Sequence, residues 1–399
     1  MKIFLTSETR VNSLIEYGEN MGHEFYLVKN TETISSTYPG IRLHSHDDWG
    51  SIISYLQSTP IDAVISICGN TPEQIALIRD GMIKHYSESV LGIPMIGHPL
   101  QSAMVGIDKG IMRQVLRKNS AITVAPGDVV TNKDEAAKIA DQVGYPIILK
   151  DPTGSAGAKT AYCVTHMEID RYFEMYRPSK VLIEKHIEGI EISIEVLSYK
   201  GVTVPFVPIY KGSTLAGGHP TERLKIAPYH LPESRLTELQ EIIQQLGKLF
   251  HWEGITDIDL IIPQKGPITV LEVNTRFGGS TALTNLTGAP NTYHELVKMA
   301  MNNWKPPEIH TRYLSLQIPV LQHFTLQQSQ QISDEFATVR RIANKILPSP
   351  VKSILTMSGP TNQVIQDIDK LVSLISIREA WKEFHEVMQS STYYQELRG

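Results

Sequence analysis

The run Val270-Leu271-Glu272-Val273-Asn274-Thr275-Arg276 reads as a strand that carries a carboxylate, an amide and a guanidinium on alternate residues. Successive strand side chains point to opposite faces, so Glu272, Asn274 and Arg276 share one face. That face cannot serve as ordinary core, because burying each group unpaired would cost several kcal/mol, roughly. Either it meets metal ions and phosphate, or Arg276 is consumed in an internal ion pair; the first reading is favoured. The preceding strand, Thr256–Ile262, also alternates acids, Asp257 and Asp259. Pro263-Gln264-Lys265-Gly266-Pro267 between the two strands is turn chemistry and makes them a hairpin.

A second stretch complements the first. Pro146-Ile147-Ile148-Leu149-Lys150 is an apolar strand closed by a lysine, followed by Gly154-Ser155-Ala156-Gly157. The glycines allow close backbone approach, and several N–H groups of such a loop can point at phosphate oxygens. The loop lacks the adjacent Gly-Lys-Thr of a Walker A motif. A third piece, Glu184-Lys185-His186-Ile187-Glu188-Gly189-Ile190-Glu191, ends a strand in a bend. Its backbone can meet an adenine edge and Glu191 can accept from ribose hydroxyls; taken alone, the segment reads rather as a charged surface turn. His219 and Arg223 lie in a glycine-bearing loop long enough to reach a substrate, whereas His44 and His46 read as exposed. No Ser/His/Asp or Cys/His arrangement stands out.

At 399 residues the chain exceeds one typical core, so two or three domains are expected. A net charge of −5 argues against a nucleic-acid surface, which shows a basic stripe. Cys68 and Cys163 sit in apolar runs without ligand spacing and read as buried thiols. No apolar run approaches the ~20 residues that cross a bilayer, and no secretory leader is visible, so a cytoplasmic protein without membrane contact is expected.

Residues 1–105 alternate strands (Lys2–Thr6, Glu24–Lys29, Ala63–Cys68, Ile93–Gly97) with helices (Val11–Met21, Pro72–His85), a pattern that predicts a parallel sheet. Residues 106–190 read as a small α+β unit: a helix from Asp108-Lys109 to Lys118, a helix over Asp134–Val143, and strands Ile147–Lys150, Thr160–Val164 and Val181–Glu184. Residues 191–305 carry long strands, Ile192–Tyr199 and Val202–Tyr210, the helix Glu233–Phe250 and the acidic hairpin. Residues 306–399 are an α+β extension with strands Tyr313–Val320 and Ser353–Met357 and one long helix from Val364 to Gln389.

The order of these pieces, from Ile93 to Ala289, resembles the ATP-grasp superfamily, in its carboxylate–amine ligase branch. The resemblance implies a mixed α/β and α+β fold with a Rossmann-like N-terminal domain, a small lid and a larger antiparallel lobe. It implies that Lys109 and Lys150 contact nucleotide phosphates and that Gly154, Ser155 and Gly157 belong to a phosphate-covering loop. Glu184, Lys185 and Ile187 resemble the adenine hinge, and Glu191 the ribose acid. Glu272, Asn274 and Asp259 resemble Mg²⁺ ligands, Mn²⁺ being a substitute, with Asp257 the alternative on the first strand. Arg276 resembles the arginine beside an acyl-phosphate, and Arg223 joins it as a catalytic candidate. Asp151 stands where the family commonly has proline.

What this implies is an ATP-dependent ligase that joins a carboxylate, an amino acid or small peptide, to an amine and releases ADP and phosphate. The rivals are carboxyl activation with a non-amine acceptor, a sugar or inositol kinase on a related fold, and a regulatory ATP-binding protein. A homodimer is expected.

Overall fold

The alternation over residues 1–105 folds into a five-stranded, all-parallel sheet in the order β3-β2-β1-β4-β5. Its strands are β1 (Lys2–Leu5), β2 (Glu24–Lys29), β3 (Gly40–Arg42), β4 (Ala63–Ile65) and β5 (Met95–Ile96). The helices α1 (Asn12–Asn20), α2 (Trp49–Ser58), α3 (Glu73–Tyr86) and α4 (Leu100–Ile107) accompany it. Ile3, Phe4, Leu5, Val64 and Ile65 are fully buried, as expected of strands covered on both faces. The computed structural model describes residues 1–29, 37–68, 73–154, 157, 159–214, 222–345 and 350–390.

The next unit opens with α5 (Lys109–Leu116), whose first turn is capped by Asp108, which accepts from Gly110 N at 2.7 Å and Ile111 N at 3.1 Å. After β6 (Thr123–Val124) come β7 (Gly127–Val130), α6 (Lys133–Val143), β8 (Ile147–Lys150), β9 (Ala161–Cys163), α7 (His166–Tyr176) and β10 (Val181–Lys185). β7, β10, β8 and β9 form an antiparallel sheet in that order. Ala136 and Ala140 of α6 and Ile169 and Tyr172 of α7 pack on Ile147, Leu149 and Ile183 of this sheet.

The remaining strands build one ten-stranded sheet. They are β11 (Gly189–Tyr199), β12 (Val202–Pro205), β13 (Ile209–Ser213), β14 (Lys225–Ala227), β15 (Gly254–Pro263), β16 (Thr269–Asn274), β17 (Leu314–Val320), β18 (Val339–Asn344) and β19 (Ser353–Gly359). The order is β18-β19-β17-β14-β13-β11-β15-β16-β6, with β12 also on β11. Pairing of Lys225 with Gln317 and Ala227 with Ser315 makes the C-terminal strands continuous with the acidic ones.

Register divides the chemistry of the β11–β15–β16 region. Ser193, Asp259 and Glu272 form one cross-strand row, and Glu195, Asp257 and Asn274 the next. Opposite-facing Ile192, Ile194, Val196, Ile258, Leu260, Val270 and Val273 pack against α8 (Glu233–Phe250) through Leu239, Ile242, Ile243 and Leu246. One face is thus fully apolar and the other carries the polar rows. Helices α9 (Thr281–Leu286) and α10 (Thr292–Ala300) follow β16, and α4 closes on its end. A Cβ at Gly106 would stand 2.4 Å from Thr275 Oγ1, so only glycine permits that approach.

Two predicted elements differ. Val202–Tyr210 is not one strand: Pro205 and Pro208, which lack an N–H, interrupt it, and β12 and β13 lie on different parts of β11. The long C-terminal helix is two, α12 (Thr361–Leu371) and α13 (Arg378–Ser390), following the separate helix α11 (Leu326–Glu335). Between α12 and α13, Ile375 and Ile377 turn into the core two residues apart, a spacing a continuous helix cannot bury on one face. Helices α2, α4, α7, α9, α10 and α11 and strands β3, β6, β7, β14 and β18 were not expected.

Candidate active site

Glu184, on β10, is 2% exposed and gripped from two sides. Arg113, from α5, donates Nε to one carboxylate oxygen, and Lys150, at the end of β8, holds the other at 2.5 Å. β10 and β8 are paired strands (Glu184 opposite Ile148), which brings the two side chains to the same edge of the four-stranded sheet. Burial alone would push the Glu184 carboxyl up, but Arg113 and Lys150 overcome it and hold it at about 2. Lys150 moves the other way: burial, with Arg113 and Lys109 close by, lowers it despite Glu184. The two shifts agree once charges are counted, because one carboxylate is shared by two buried cations. The Arg113 side chain also donates Nη2 to Leu271 O at 2.8 Å, tying this cluster to β16.

Lys109 completes the cationic group. Its ammonium contacts Glu272 Oε1 at 2.9 Å and Gly154 O at 2.5 Å, and its backbone N–H donates to Pro152 O at 2.9 Å. The glycine loop is therefore anchored at its entrance to both α5 and β16. Gln74 of α3 adds a bond to Thr153 O at 2.6 Å from the parallel-sheet domain. Burial would raise the Glu272 carboxyl, and Lys109, Lys150 and Arg276 outweigh it and hold it low. Gly157 sits at φ +75°, a left-handed conformation that favours glycine. Ser155, expected in the same loop, and His219 lie outside the described residues.

β16 ends at Asn274, so Arg276 stands just beyond the strand, yet its guanidinium returns to Asn274 Oδ1 at 3.3 Å and to Phe277 O at 3.1 Å. Asp257 Oδ1 is buried and has no hydrogen-bond partner among the described residues. A Cβ at Gly278 would meet Asp257 Cγ at 2.3 Å, so the turn after Arg276 can lie on that carboxylate only because residue 278 is glycine. Beyond it, Lys211 bridges Glu191 Oε1 at 2.8 Å and Asp259 Oδ1 at 2.7 Å, and Arg223 Nη1 holds the other Glu191 oxygen at 2.9 Å. Burial disfavours the Lys211 ammonium, but Asp259 and Glu191 raise it above the ordinary lysine range.

The geometry thus brings together Lys109, Lys150, Gly154, Glu184, Glu272, Asn274 and Arg276, with Asp257, Asp259, Glu191 and Arg223 continuing across the same sheet face. Lys185 points elsewhere: its ammonium donates to Gly144 O at 3.0 Å and Tyr145 O at 2.7 Å. Ile187 is half-buried in the bend after β10. Three buried cations beside these residues escaped sequence reasoning, Arg113, Lys211 and Lys225, as did Arg79 and Lys84 away from them. Arg113 had a signal, since Lys109 and Arg113 stand four apart on one face of a helix. Among the described residues no group of three or more His, Cys, Asp or Glu forms a metal cage. Mg²⁺ needs no such cage; it takes one or two carboxylates and completes its shell with water and phosphate oxygens. The hard oxygens of Glu272 and Asn274, with Asp259 opposite Glu272 and the partnerless Asp257 Oδ1, fit that requirement.

Residues 108–304 match the carbamoyl-phosphate synthase L chain, ATP binding domain. The carbamoyl-phosphate synthase of Methanobrevibacter smithii is 30% identical over 268 residues, covering 66% of this chain and 71% of that protein. The carbamoyl phosphate synthase large chain of Clostridium acetobutylicum is 24% identical over 260 residues, 62% of this chain but only 23% of that protein, so the chain spans about a quarter of such large chains. Among solved structures, the L-amino acid ligase from Bacillus licheniformis has a TM-score of 0.72 at 16% identity, covering 93% of this chain and 96% of that one. N5-carboxyaminoimidazole ribonucleotide synthetase from Thermus thermophilus reaches 0.72 at 12% identity, covering 94% and 99%. The biotin carboxylase domain dimer of Hydrogenobacter thermophilus 2-oxoglutarate carboxylase, in complex with MgADP and bicarbonate, reaches 0.68 at 16% identity, covering 94% and 90%. At these identities the structural likeness is one of fold. No helix among the described residues is long and apolar enough to cross a membrane.

Proposed function

The chain belongs to the ATP-grasp superfamily of ADP-forming carbon–nitrogen ligases, and from that premise we propose that it joins a small carboxylate, an amino acid or small peptide, to an amine through an acyl-phosphate. The observation that carries this reading is the convergence of Lys109, Arg113 and Lys150 on the carboxylates of Glu184 and Glu272, with Arg113 also bonded to Leu271 O on the strand that carries Glu272 and Asn274. Three cations share two carboxylates, Glu184 and Glu272, which leaves an excess positive charge suited to a polyphosphate.

In the first step a substrate carboxylate oxygen attacks the γ-phosphorus of ATP, and the bond to the β–γ bridging oxygen breaks, leaving ADP. In the second the amine nitrogen attacks the acyl carbon, inorganic phosphate departs and the nitrogen sheds a proton. Lys109 and Lys150 hold phosphate oxygens, and the backbone of the glycine loop around Gly154 and Gly157 covers them against water. Glu184 fixes Lys150 and Arg113 in place, while the bend at Lys185–Ile187 meets the adenine and Glu191 the ribose. Arg276 faces the charge that develops on the acyl-phosphate, with Arg223 beside the substrate. Mg²⁺ held by Glu272 and Asn274, with Asp259 as the first-strand ligand and Mn²⁺ as a substitute, would neutralise phosphate charge.

The division into 1–105, 106–190, 191–305 and 306–399 belongs to this reading, as does a homodimer, which light scattering would test. The chemistry is tested by ADP and phosphate release from Mg-ATP with pooled amino acids, with bicarbonate as a separate arm and Glu272→Ala as control. Release that requires an amine from the pool and vanishes in the variant supports the ligase. Release with bicarbonate alone would show that the acid activated is bicarbonate, as a carboxyphosphate that water then hydrolyses, and would replace the amino-acid or peptide carboxylate in this reading. ATP binding without turnover in either arm would leave a nucleotide-binding protein.

A further inference from the structure

Lys225 is 9% exposed, lies on the polar side of β14 and forms no ion pair with any described residue. Its strand neighbours Leu224 and Ile226 face the opposite way, into the core built by the C-terminal extension. The ammonium has a single described contact, a long one of 3.5 Å to Ser280 Oγ. Nearby Lys211, by contrast, holds two carboxylates below 3 Å.

The hydroxyls around Lys225 form a short chain that ends on Ser280. Ser193 Oγ donates to Ser280 Oγ at 3.3 Å, and Ser280 Oγ accepts from Lys225 as well. The Ser280 O–H is donated to no described residue, and neither are the other two Lys225 N–H bonds. Ser193 and Ser280 are 1% and 3% exposed, so water satisfies little of this. Buried donors without acceptors are costly, and a buried ammonium more so. Burial and the neighbouring Lys211 depress the Lys225 amine to about 8, against the pull of Asp259, Asp257 and Glu191. The nearest surface is at Gly279, which is exposed and where a side chain would begin 3.8 Å from Lys225 Nζ. The same turn carries Arg276.

We propose that Lys225 and Ser280 form an oxyanion subsite that binds a carboxylate of the substrate, separate from the Lys109–Arg113–Lys150 cluster that takes the polyphosphate. The assignment rests on the ligase reading for its substrate but not for its geometry. One ammonium and one hydroxyl match the two oxygens of a monoanionic carboxylate, and a phosphoryl group would demand more positive charge than this pair offers. Lys225 is thus a specificity-determining residue: it selects the acid, while Arg276 attends to the reacting group.

The test uses the full chain loaded with MgADP, titrated calorimetrically with acetate, malonate and inorganic phosphate. Wild type, Lys225→Met, Lys225→Arg and Ser280→Ala are compared. A carboxylate should bind wild type, with affinity falling roughly 10- to 100-fold in Lys225→Met, less in Ser280→Ala, and recovering in Lys225→Arg. MgADP affinity should be the same in all four, which also certifies folding; if Lys225→Met fails that check, Ser280→Ala decides. Equal carboxylate affinity in the variants, or no carboxylate binding to wild type, overturns the proposal. Binding of phosphate but not of carboxylates overturns it too, since the subsite would then hold a phosphoryl group. Carboxylate binding that depends on Lys225, without amine-dependent turnover, would defeat the ligase reading and leave the subsite standing.

Discussion

Lys109 and Glu272 form a 2.9 Å ion pair that joins the first residue of α5 to the acidic strand β16. The same ammonium reaches Gly154 O, so one side chain ties the glycine loop to a proposed metal ligand. Phosphate oxygens would compete with Glu272 for this ammonium. Lys109→Met should therefore weaken MgATP binding by about tenfold or more, the worth of one charge-assisted bond. It should also loosen the loop, read as faster hydrogen exchange at the amides of Thr153 and Gly154. Unchanged MgATP affinity in a folded variant would remove Lys109 from the phosphate site.

Arg276 presents a different balance. Its described bonds, to Asn274 Oδ1 and Phe277 O, are intramolecular, so the fold does not depend on a nucleotide to hold it. If it acts on charge that appears only during reaction, Arg276→Ala should lower kcat by ~10²–10³ while nucleotide affinity stays within a fewfold. Arg276→Lys should recover little, since an ammonium does not reproduce the planar fork. A matched loss in nucleotide affinity and kcat would instead make Arg276 a ground-state binder.

Lys211→Met tests the buried bridge. The substitution keeps the stem and removes the charge between Glu191 and Asp259, leaving two buried carboxylates facing one another. Breaking a buried pair from one side typically costs ~3–5 kcal/mol, so the urea midpoint should fall markedly. Restoring neutrality with the double variant Lys211→Met, Asp259→Asn should recover part of that loss. A single variant as stable as wild type would show that Arg223 alone suffices for Glu191.

Why Lys211 was invisible in the sequence while Glu272 was not is a matter of pattern. Glu272, Asn274 and Arg276 recur at the strand period within one segment, and that periodicity by itself denies them a core face. A lone lysine in a short strand reads as a solvated edge; only the pairing of β11 with β13 and β15 reveals that Lys211 is enclosed. Glu184 was singled out, but its grip was not, because Arg113 lies 71 positions away and the two meet only when α5 packs on the four-stranded sheet. The parallel sheet and α8 were legible from periodicity alone. The two interruptions, at Pro205–Pro208 and at Ile375–Ile377, were not, since apolar content there continues while the backbone changes direction.

The last prediction concerns acid. Glu184 titrates at about 2 in the folded chain, below its ordinary 4.5, because Arg113 and Lys150 outweigh its burial. The unfolded chain therefore takes up this proton first as pH falls. Its contribution to stability is complete above about 4.5 and is lost as pH drops toward about 2. That contribution is on the order of a few kcal/mol, reduced by the cost of keeping Lys150 charged in the same enclosure. Glu184→Gln should be less stable at neutral pH, because Arg113 and Lys150 then face a neutral amide. Its stability should also fall less steeply than wild type's across the window from 4.5 to 2. Urea midpoints of both proteins through that window decide the matter: parallel pH profiles would mean that other carboxylates govern acid unfolding and that the grip on Glu184 contributes little to it.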